Sequence, residues 1–255
     1  MKRSFLSCDI PLLTAMIKCA TPDECIEKIR LSVADGAEAI GVQLEWLKTE
    51  YRTKKHLERI FAACGELPIY VTSYRDGENV GREDGEIGEL LVKAVACGAT
   101  AADVMGDIYS WNLQYGLSAI PTEISRQLLL IKRIHRCGGE VIMSSRVSGK
   151  LSVPEYEMIA SDQATRKADI IGIFNASADK ADLDGYAKAV GRIKEENAKK
   201  LQLEFCGEDI TLGDMASAGG LCMFRCVQSY GEYDSPDMPL LKDAKAIREG
   251  MYINK

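Results

Sequence analysis

The sequence predicts an α/β protein folded as a single (β/α)8 (TIM) barrel, because eight short apolar runs alternate with eight helical segments over 255 residues. Strands that are separated by helices run parallel, since each crossover returns the chain in the same direction. Barrels of this kind use about 250 residues as one domain, so we expect one domain over residues 1–255. An open doubly wound sheet is the alternative, but no G-x-G-x-x-G follows a strand and no Walker A motif occurs.

The first strand and helix carry clear boundary signals. The apolar run LLTAMIK precedes Thr21, which can cap a helix; Pro22 suits the first helical turn and Glu24 lies at capping-box spacing. Similar patterns predict strands at 12–18, 39–45, 69–75, 101–105, 140–145, 169–174, 201–206 and 221–226. The helices that follow them are expected at 21–35, 52–64, 86–97, 122–137, 154–166, 179–198, 212–217 and 239–250.

Composition and charge narrow the class of ligand. The net charge is −6 and the chain has no block of basic residues, so we expect no nucleic-acid partner. No apolar run approaches the ~18 residues of a membrane span, so we expect no membrane partner either. The nine cysteines lack C-x-x-C pairs, which favours reduced, mostly buried thiols and a cytoplasmic location. A small molecule is the expected partner.

In a (β/α)8 barrel the chemistry lies at the carboxyl ends of the strands and in the loops that follow them. Carboxylates there can transfer protons, and the candidates are Glu45, Asp103 and Glu204. Lys18 is a further catalytic candidate, because an amine near the barrel axis can be desolvated into a nucleophile. The candidates for binding an anionic ligand are Arg75, Arg146 and Arg225, with Gln43, Asn175 and Ser145 as hydrogen-bonding partners.

Each candidate also has a structural interpretation. Lys18 would then be a solvated strand end, Asp103 would accept loop amides, and the arginines would pair with surface acids. His56 and His135 fall in predicted helices, away from the catalytic face, and no spacing of ligands suggests a metal or other cofactor. Which alternate set of strand residues faces the axis stays open at this point.

Several segments, in order along nearly the whole chain, resemble the type I 3-dehydroquinate dehydratases. The resemblance is carried by PLLTAMIKCATPDECIEK, the stretch from Leu67 to Val104, VIMSSRVSGK and KADIIGIF. Members of that family are (β/α)8 lyases of the shikimate pathway, in which a lysine forms a Schiff base with the substrate ketone. The resemblance therefore implies a carbon–oxygen lyase that acts on a small carboxylic acid.

The residues that carry the family's chemistry are replaced in this chain. The Schiff-base lysine aligns with Gly172, which has no amine, and the proton-transferring histidine aligns with Arg146, which stays charged. The Glu-x-Arg of strand two aligns with Gly41 and Gln43, so that only Arg75 matches a substrate-contacting residue. We therefore expect a divergent member that acts on or binds a small hydroxy or keto carboxylic acid without Schiff-base chemistry.

Two alternatives remain open for function. The chain would either be a non-catalytic ligand-binding protein or retain dehydration of 3-dehydroquinate by another route, and fold similarity alone does not choose. The long loop from Gly106 to Pro121, with Tyr109 and Trp111, would either cover a ligand as a lid or contact a second subunit in a homodimer.

Overall fold

The computed structural model describes residues 3–112, 114–175, 182–197, 199–205, 211–231 and 238–252. Its strands are β1 (Leu12–Ile17), β2 (Ala39–Gln43), β3 (Ile69–Thr72), β4 (Ala101–Met105), β5 (Glu140–Val147), β6 (Ile170–Asn175), β7 (Lys200–Phe205) and β8 (Met223–Cys226). Its α-helices are α1 (Pro22–Ala34), α2 (Lys54–Ala62), α3 (Asp84–Ala96), α4 (Pro121–Arg136), α5 (Val153–Thr165), α6 (Leu183–Glu196), α7 (Leu212–Ser217) and α8 (Leu241–Tyr252). The predicted (β/α)8 barrel is confirmed.

Most boundaries agree with the sequence patterns to within two residues; β2 ends two residues earlier than expected and β3 ends three residues earlier. The chain leaves the sheet after Gln43 and Thr72, and a short 3-10 turn, Leu44–Trp46, follows β2. The buried guanidinium of Arg52 donates to the carbonyl oxygens of Glu45 (3.1 Å) and Leu47 (2.7 Å). Because these carbonyl groups bond to a side chain, they do not extend the ladder. Residues 179–181, 198 and 206 of the predicted elements lie outside the described residues.

The strands run parallel in the order β7-β6-β5-β4-β3-β2-β1-β8, and within the described residues no ladder joins β7 to β8. The side-chain amide of Gln202 bridges this seam. Its Nε2 donates to the carbonyl oxygen of Met223 (3.1 Å), and its Oε1 accepts from the backbone N–H groups of Cys222 (3.1 Å) and Met223 (2.9 Å). Leu203 N–H also donates to the carbonyl oxygen of Gly220. The buried Gln202 amide thus provides three hydrogen bonds between β7 and the start of β8.

Strand side chains divide between two hydrophobic clusters. The cluster inside the barrel contains the strand residues Leu12, Met16, Ala39, Tyr70, Ala101, Ile142, Ile170 and Met223. The residues between them along the same strands pack in the larger cluster against the helices. Because side chains alternate along a strand, this division fixes which strand-end residues face the axis.

The expectation that all cysteines are reduced is wrong for one pair. Cys19, just after β1, and Cys25, in the first turns of α1, form a disulfide with a Cα–Cα distance of 5.5 Å. Both side chains are buried. The two cysteines lie outside any C-x-x-C pair, but the turn between the strand and its helix brings these residues, six positions apart, within bonding range.

Candidate functional site

The alternation along the strands directs one set of candidates towards the open, carboxyl-terminal mouth of the barrel. Side chains two or four positions beyond an inner-cluster residue on the same strand also face the axis, as does a residue in register with one of them on the next strand. At the strand ends these inward-facing residues are Lys18, Gln43, Asp103, Arg146, Glu204 and Arg225. Of the ten residues predicted for the site, the fold brings these six together around the axis, and Glu45 joins them from the turn after β2.

Two tyrosines share one carboxylate beneath the mouth. The hydroxyl groups of Tyr70 and Tyr74 both donate to Oδ2 of Asp103, the Tyr74 bond being 2.5 Å long. Burial raises the pKa of both phenols, and the charge of Asp103 raises it further, so both keep their protons. Asp103 Oδ1 and Ser144 Oγ are buried with no hydrogen-bond partner among the described residues. Asp103 is 1% exposed.

Arg146 is a cation at the mouth that is not paired with a carboxylate of the described residues. Its side chain is exposed, and its guanidinium lies over the Tyr74 ring, 4.2 Å from the centroid, and 5.4 Å from that of Phe174. No carboxylate of the described residues forms an ion pair with it. Arg146 also hydrogen-bonds to Tyr74. An arginine that has no ion-pair partner and lies over two aromatic rings is suited to binding a carboxylate.

The loop after β4 holds the backbone of Arg146 in place. Gly116 has a φ of +57°, and a Cβ there would lie 2.5 Å from the Arg146 nitrogen and 2.9 Å from its carbonyl oxygen. Ser145 Oγ donates to the Gly116 carbonyl oxygen (3.1 Å). Only glycine fits this position, because it combines a left-handed conformation with close backbone contact.

Glu45 is a buried carboxyl group beside the mouth. It is 1% exposed, and the Thr72 hydroxyl lies 2.9 Å from both of its oxygens. Burial raises the pKa of Glu45 to about 7, although hydrogen bonds from Thr72 and the Tyr74 backbone and the charge of Arg146 oppose this rise. The carboxyl group therefore changes charge near neutral pH, which suits a group that transfers protons.

Glu204, on β7, and Arg225, on β8, form an ion pair at the mouth. Arg225 Nε donates to Glu204 Oε1 (2.6 Å) and Nη2 donates to Oε2, while the guanidinium lies 4.6 Å from the centroid of the Phe174 ring. Both side chains are 13% exposed. Unlike Arg146, Arg225 has its charge compensated within the protein.

Lys18 and Gln43 are partly exposed at the rim. The Lys18 ammonium lies 3.8 Å from the centroid of the Trp46 ring and has no carboxylate partner among the described residues. This is a cation–π contact, so Lys18 presents a positive charge near the mouth.

The structure places the other three predicted binding residues on the helix side of the sheet. Arg75 donates to Asp84 (2.8 and 2.7 Å) and to Asp107 (2.9 Å), which compensate its charge. Ser145 bonds to the Gly116 carbonyl oxygen and to the side chain of Gln163, and Asn175 donates to the Tyr156 hydroxyl (3.2 Å). These three residues are not brought to the mouth.

Gly172 lies on an inner position of β6 and provides no side chain to the mouth. A Cβ at this position would lie 2.7 Å from the Met143 carbonyl oxygen on β5. The Gly172 N–H and carbonyl groups both bond to the side chain of Gln163 in α5. The close approach of the β5 backbone therefore leaves no room for a side chain at position 172.

The histidines and the described acidic side chains do not form a metal site. His56 contacts Thr53 at the start of α2, and His135 Nε2 lies 2.8 Å from Asp169 Oδ2 at the end of α4. Among the described residues no group of three or more His, Cys, Asp or Glu side chains could hold a metal ion, and no helix is long and apolar enough to cross a membrane.

Sequence reasoning missed the aromatic part of the site, formed by Tyr70, Tyr74, Phe174 and Trp46. A signal was available in IYVTSYR, because Tyr70, Thr72 and Tyr74 share one face of a strand at a spacing of two. Their functional meaning depends on Asp103 and Arg146, which lie far from them in sequence.

Comparison with protein-family models and with curated sequences finds no match for this chain. Solved structures do resemble it. The 3-dehydroquinate dehydratase of Geobacillus kaustophilus HTA426 gives a TM-score of 0.76 at 12% identity, covering 96% of this chain and 93% of that one. The type I 3-dehydroquinate dehydratase of Clostridium difficile, with covalently modified comenic acid, gives 0.77 at 12% identity and covers 100% of both. The chain shares the fold of these dehydratases.

Other barrels resemble it less well. A putative phosphonomutase from Burkholderia cenocepacia J2315 gives a TM-score of 0.54 at 16% identity and covers 86% of each chain. At sequence identities of 12–16%, the likeness of this chain to the dehydratases and to the phosphonomutase concerns the fold alone. A proposal about function therefore depends on the residues of the mouth.

Proposed function

We propose that the barrel mouth binds a small hydroxy or keto carboxylic acid through Arg146, and that chemistry on this ligand proceeds by proton transfer without a Schiff base. The observation that carries the proposal is the exposed Arg146 guanidinium, which has no ion-pair partner among the described residues. Arginine binds carboxylates through paired, charge-assisted hydrogen bonds. The fold likeness to the dehydratases supports the same class of ligand by analogy.

Two further rim residues support an oxygen-rich ligand. Lys18 provides a second positive charge, and Gln43 provides an amide that both donates and accepts hydrogen bonds. Together with Arg146 they offer partners for a carboxylate and for the hydroxyl or keto oxygens of the same molecule.

Glu45 supports a catalytic form of the proposal. In its ionised state it would accept a proton from the carbon beside a keto group, leaving the electron pair on the keto oxygen. A pKa of about 7 keeps both protonation states populated at neutral pH. This carboxyl group is nearly fully buried, however, and that observation favours the second candidate function, a binding protein without turnover.

Binding is tested by a thermal-shift screen of shikimate, quinate, 3-dehydroquinate, lactate and pyruvate on the wild-type protein. We expect at least one acid to stabilise it and Arg146→Ala to weaken that acid's binding roughly 100-fold, because a charge-assisted bidentate contact is lost. Arg133→Ala is the matched control, since Arg133 is an exposed arginine of α4 paired with Glu89. If no acid binds, or if binding survives Arg146→Ala, the proposal is wrong.

The chemical step is tested separately with 3-dehydroquinate and borohydride. We expect no covalent adduct, because a Schiff base needs an amine at the carbonyl and position 172 has none. An adduct at Lys18 would contradict this part of the proposal. For an acid that turns over, Glu45→Gln should lower kcat at least 100-fold; binding without turnover in the wild type would identify the non-catalytic alternative.

A further inference from the structure

Two guanidinium groups flank the Phe174 ring at the mouth, but only one of them lacks an ion-pair partner among the described residues. The Arg146 guanidinium carbon lies 5.4 Å from the ring centroid and that of Arg225 lies 4.6 Å from it. Arg146 has no ion-pair partner among the described residues, whereas Arg225 is occupied by Glu204. Since both members of this pair are 13% exposed, the pair borders the space that a ligand would enter.

The contact between Glu204 and Arg225 has the geometry of a bound carboxylate. Nε and Nη2 of Arg225 donate to different oxygens of Glu204, which is the paired arrangement by which arginine recognises carboxylate and oxoanion ligands. Gln202 Nε2 also donates to Glu204 Oε1 (2.5 Å) and so fixes the carboxylate. Glu204 therefore takes the place at Arg225 that a second anionic group of a ligand would take.

We propose that Glu204 determines the charge specificity of the site: it occupies Arg225, so that the mouth accepts small monocarboxylates at Arg146 and excludes dicarboxylates and sulfate. A second ligand carboxylate would have to displace Glu204 or lie beside it, and like charges at that distance repel. The inference rests on the proposed function only in taking Arg146 as the first anion position.

The competing interpretation is that the pair only braces the barrel. It lies next to the seam between β7 and β8, where no ladder forms among the described residues and the Gln202 side chain links the two strands instead. A brace and a specificity residue predict different results when the negative charge of Glu204 is removed, because only the second leaves an anion site behind.

The test uses sulfate as the probe, titrated at constant ionic strength against the wild type and Glu204→Gln. We expect Glu204→Gln to bind sulfate at least tenfold more tightly than the wild type, and Glu204→Gln with Arg225→Lys to lose this gain. Asp107→Asn is the matched control: Asp107 also pairs with an arginine, Arg75, and is 12% exposed, so it removes the same charge from a similar environment. It should gain nothing.

A second pair of probes, lactate and malate, differs by one carboxylate. The wild type should bind malate no better than lactate, and Glu204→Gln should bind malate at least tenfold better than the wild type does. If Glu204→Gln loses stability and gains neither sulfate nor malate binding, or if Asp107→Asn gains as much, the pair is a brace and the proposal is overturned.

Should Glu204→Gln fail to fold, Glu204→Asp and phenylglyoxal labelling of the wild type decide instead. The aspartate side chain is one methylene shorter, so its carboxylate reaches Nε and Nη2 of Arg225 less well. We expect Glu204→Asp to gain sulfate affinity, but less than Glu204→Gln would. In the wild type, phenylglyoxal should modify Arg146 well before Arg225, and the reverse order would contradict the proposal. The sulfate gain depends on Arg225, whereas the proposed function depends on Arg146, so that the two can fail independently.

Discussion

At the scale of single residues, the partner of each arginine decides its role more than its position along a strand does. Arg75, Arg146 and Arg225 all follow or end strands, and the resemblance to the dehydratases favoured Arg75 among them. In the fold Arg75 has two carboxylate partners, Arg225 has one, and Arg146 has none among the described residues. A ligand carboxylate gains most at the uncompensated charge, because binding there does not break an existing ion pair.

Glu45 leads to a prediction about pH at the same scale. Its pKa rises from 4.5 in the unfolded chain to about 7 in the folded protein, so the folded state favours the protonated carboxyl. The stability that this contributes is present below pH 4.5 and is lost as the pH rises through 7. The loss should reach roughly 3 kcal/mol.

We therefore expect the unfolding free energy of the wild type to fall between pH 4.5 and pH 7 relative to that of Glu45→Gln, which cannot ionise. Urea denaturation across this range measures the difference. Parallel curves for the two proteins would show that the pKa of Glu45 is not raised.

Gly172 supports a prediction about steric fit. An alanine Cβ would lie 2.7 Å from the Met143 carbonyl oxygen, which belongs to the backbone and cannot move aside easily. Gly172→Ala should thus destabilise the protein by roughly 1–3 kcal/mol in urea denaturation. The matched control is Gly191→Ala in α6, where a Cβ meets nothing within 4 Å. This substitution should raise the unfolding free energy by roughly 0.5–1 kcal/mol, because alanine favours the helix more than glycine does. A neutral Gly172→Ala would indicate that this position has room for a side chain.

At the scale of elements, the connection from β1 to α1 is more constrained than its sequence suggested. The Cys19–Cys25 disulfide joins the end of the strand to the first turns of the helix, and Thr21 accepts a hydrogen bond from Glu24 N–H between them. The predicted helix cap is therefore confirmed, while the prediction of free thiols is wrong at these two positions.

Thiol titration checks the disulfide directly. In denaturant, reduction should expose two more reactive thiols in the wild type than in Cys19→Ala with Cys25→Ala. Reduction of the native protein should also lower its unfolding free energy by roughly 2 kcal/mol, the value expected for so short a loop. An unchanged thiol count after reduction would mean that the two cysteines are free.

At the scale of the whole molecule, closure of the barrel depends on the seam between β7 and β8. Elsewhere among the described residues neighbouring strands are joined by backbone ladders, but here the Gln202 amide bonds to the N–H groups of Cys222 and Met223 and to the carbonyl group of Met223, at the start of β8. A buried backbone group that loses its partner costs about 1–3 kcal/mol.

Gln202→Leu should consequently lower the unfolding free energy by roughly 3 kcal/mol or more, and hydrogen exchange should accelerate at β7 and β8 more than at β3 and β4. Gln127→Leu is the control, because Gln127 is an equally buried amide that bonds to the carbonyl oxygens of Met105 and Gly106, away from this seam. Uniform acceleration of exchange across the sheet would contradict a local role in closure.

The charge of the mouth is also a property of the whole molecule. The chain carries a net charge of −6, yet Lys18 and Arg146, which have no ion-pair partner among the described residues, lie at one end of the barrel beside the compensated pair of Arg225 and Glu204. A local positive site on an acidic protein attracts small anions while the rest of the surface disfavours large polyanions. This distribution agrees with the expected small anionic ligand, which remains a prediction.

The sequence by itself determined the order of strands and helices, because alternating apolar runs and helix caps are local features that read directly from neighbouring residues. It also indicated ten candidate residues at the strand ends, because parallel strands end at the same side of a barrel, but it included Arg75, Ser145 and Asn175, which lie on the helix side of the sheet. Only the tertiary structure decided which alternate residues face the axis, which arginine keeps its charge open, and how the seam closes. Those outcomes depend on contacts such as Gln202 with Met223 and Tyr70 with Asp103, between residues too distant in sequence for any local pattern to connect them.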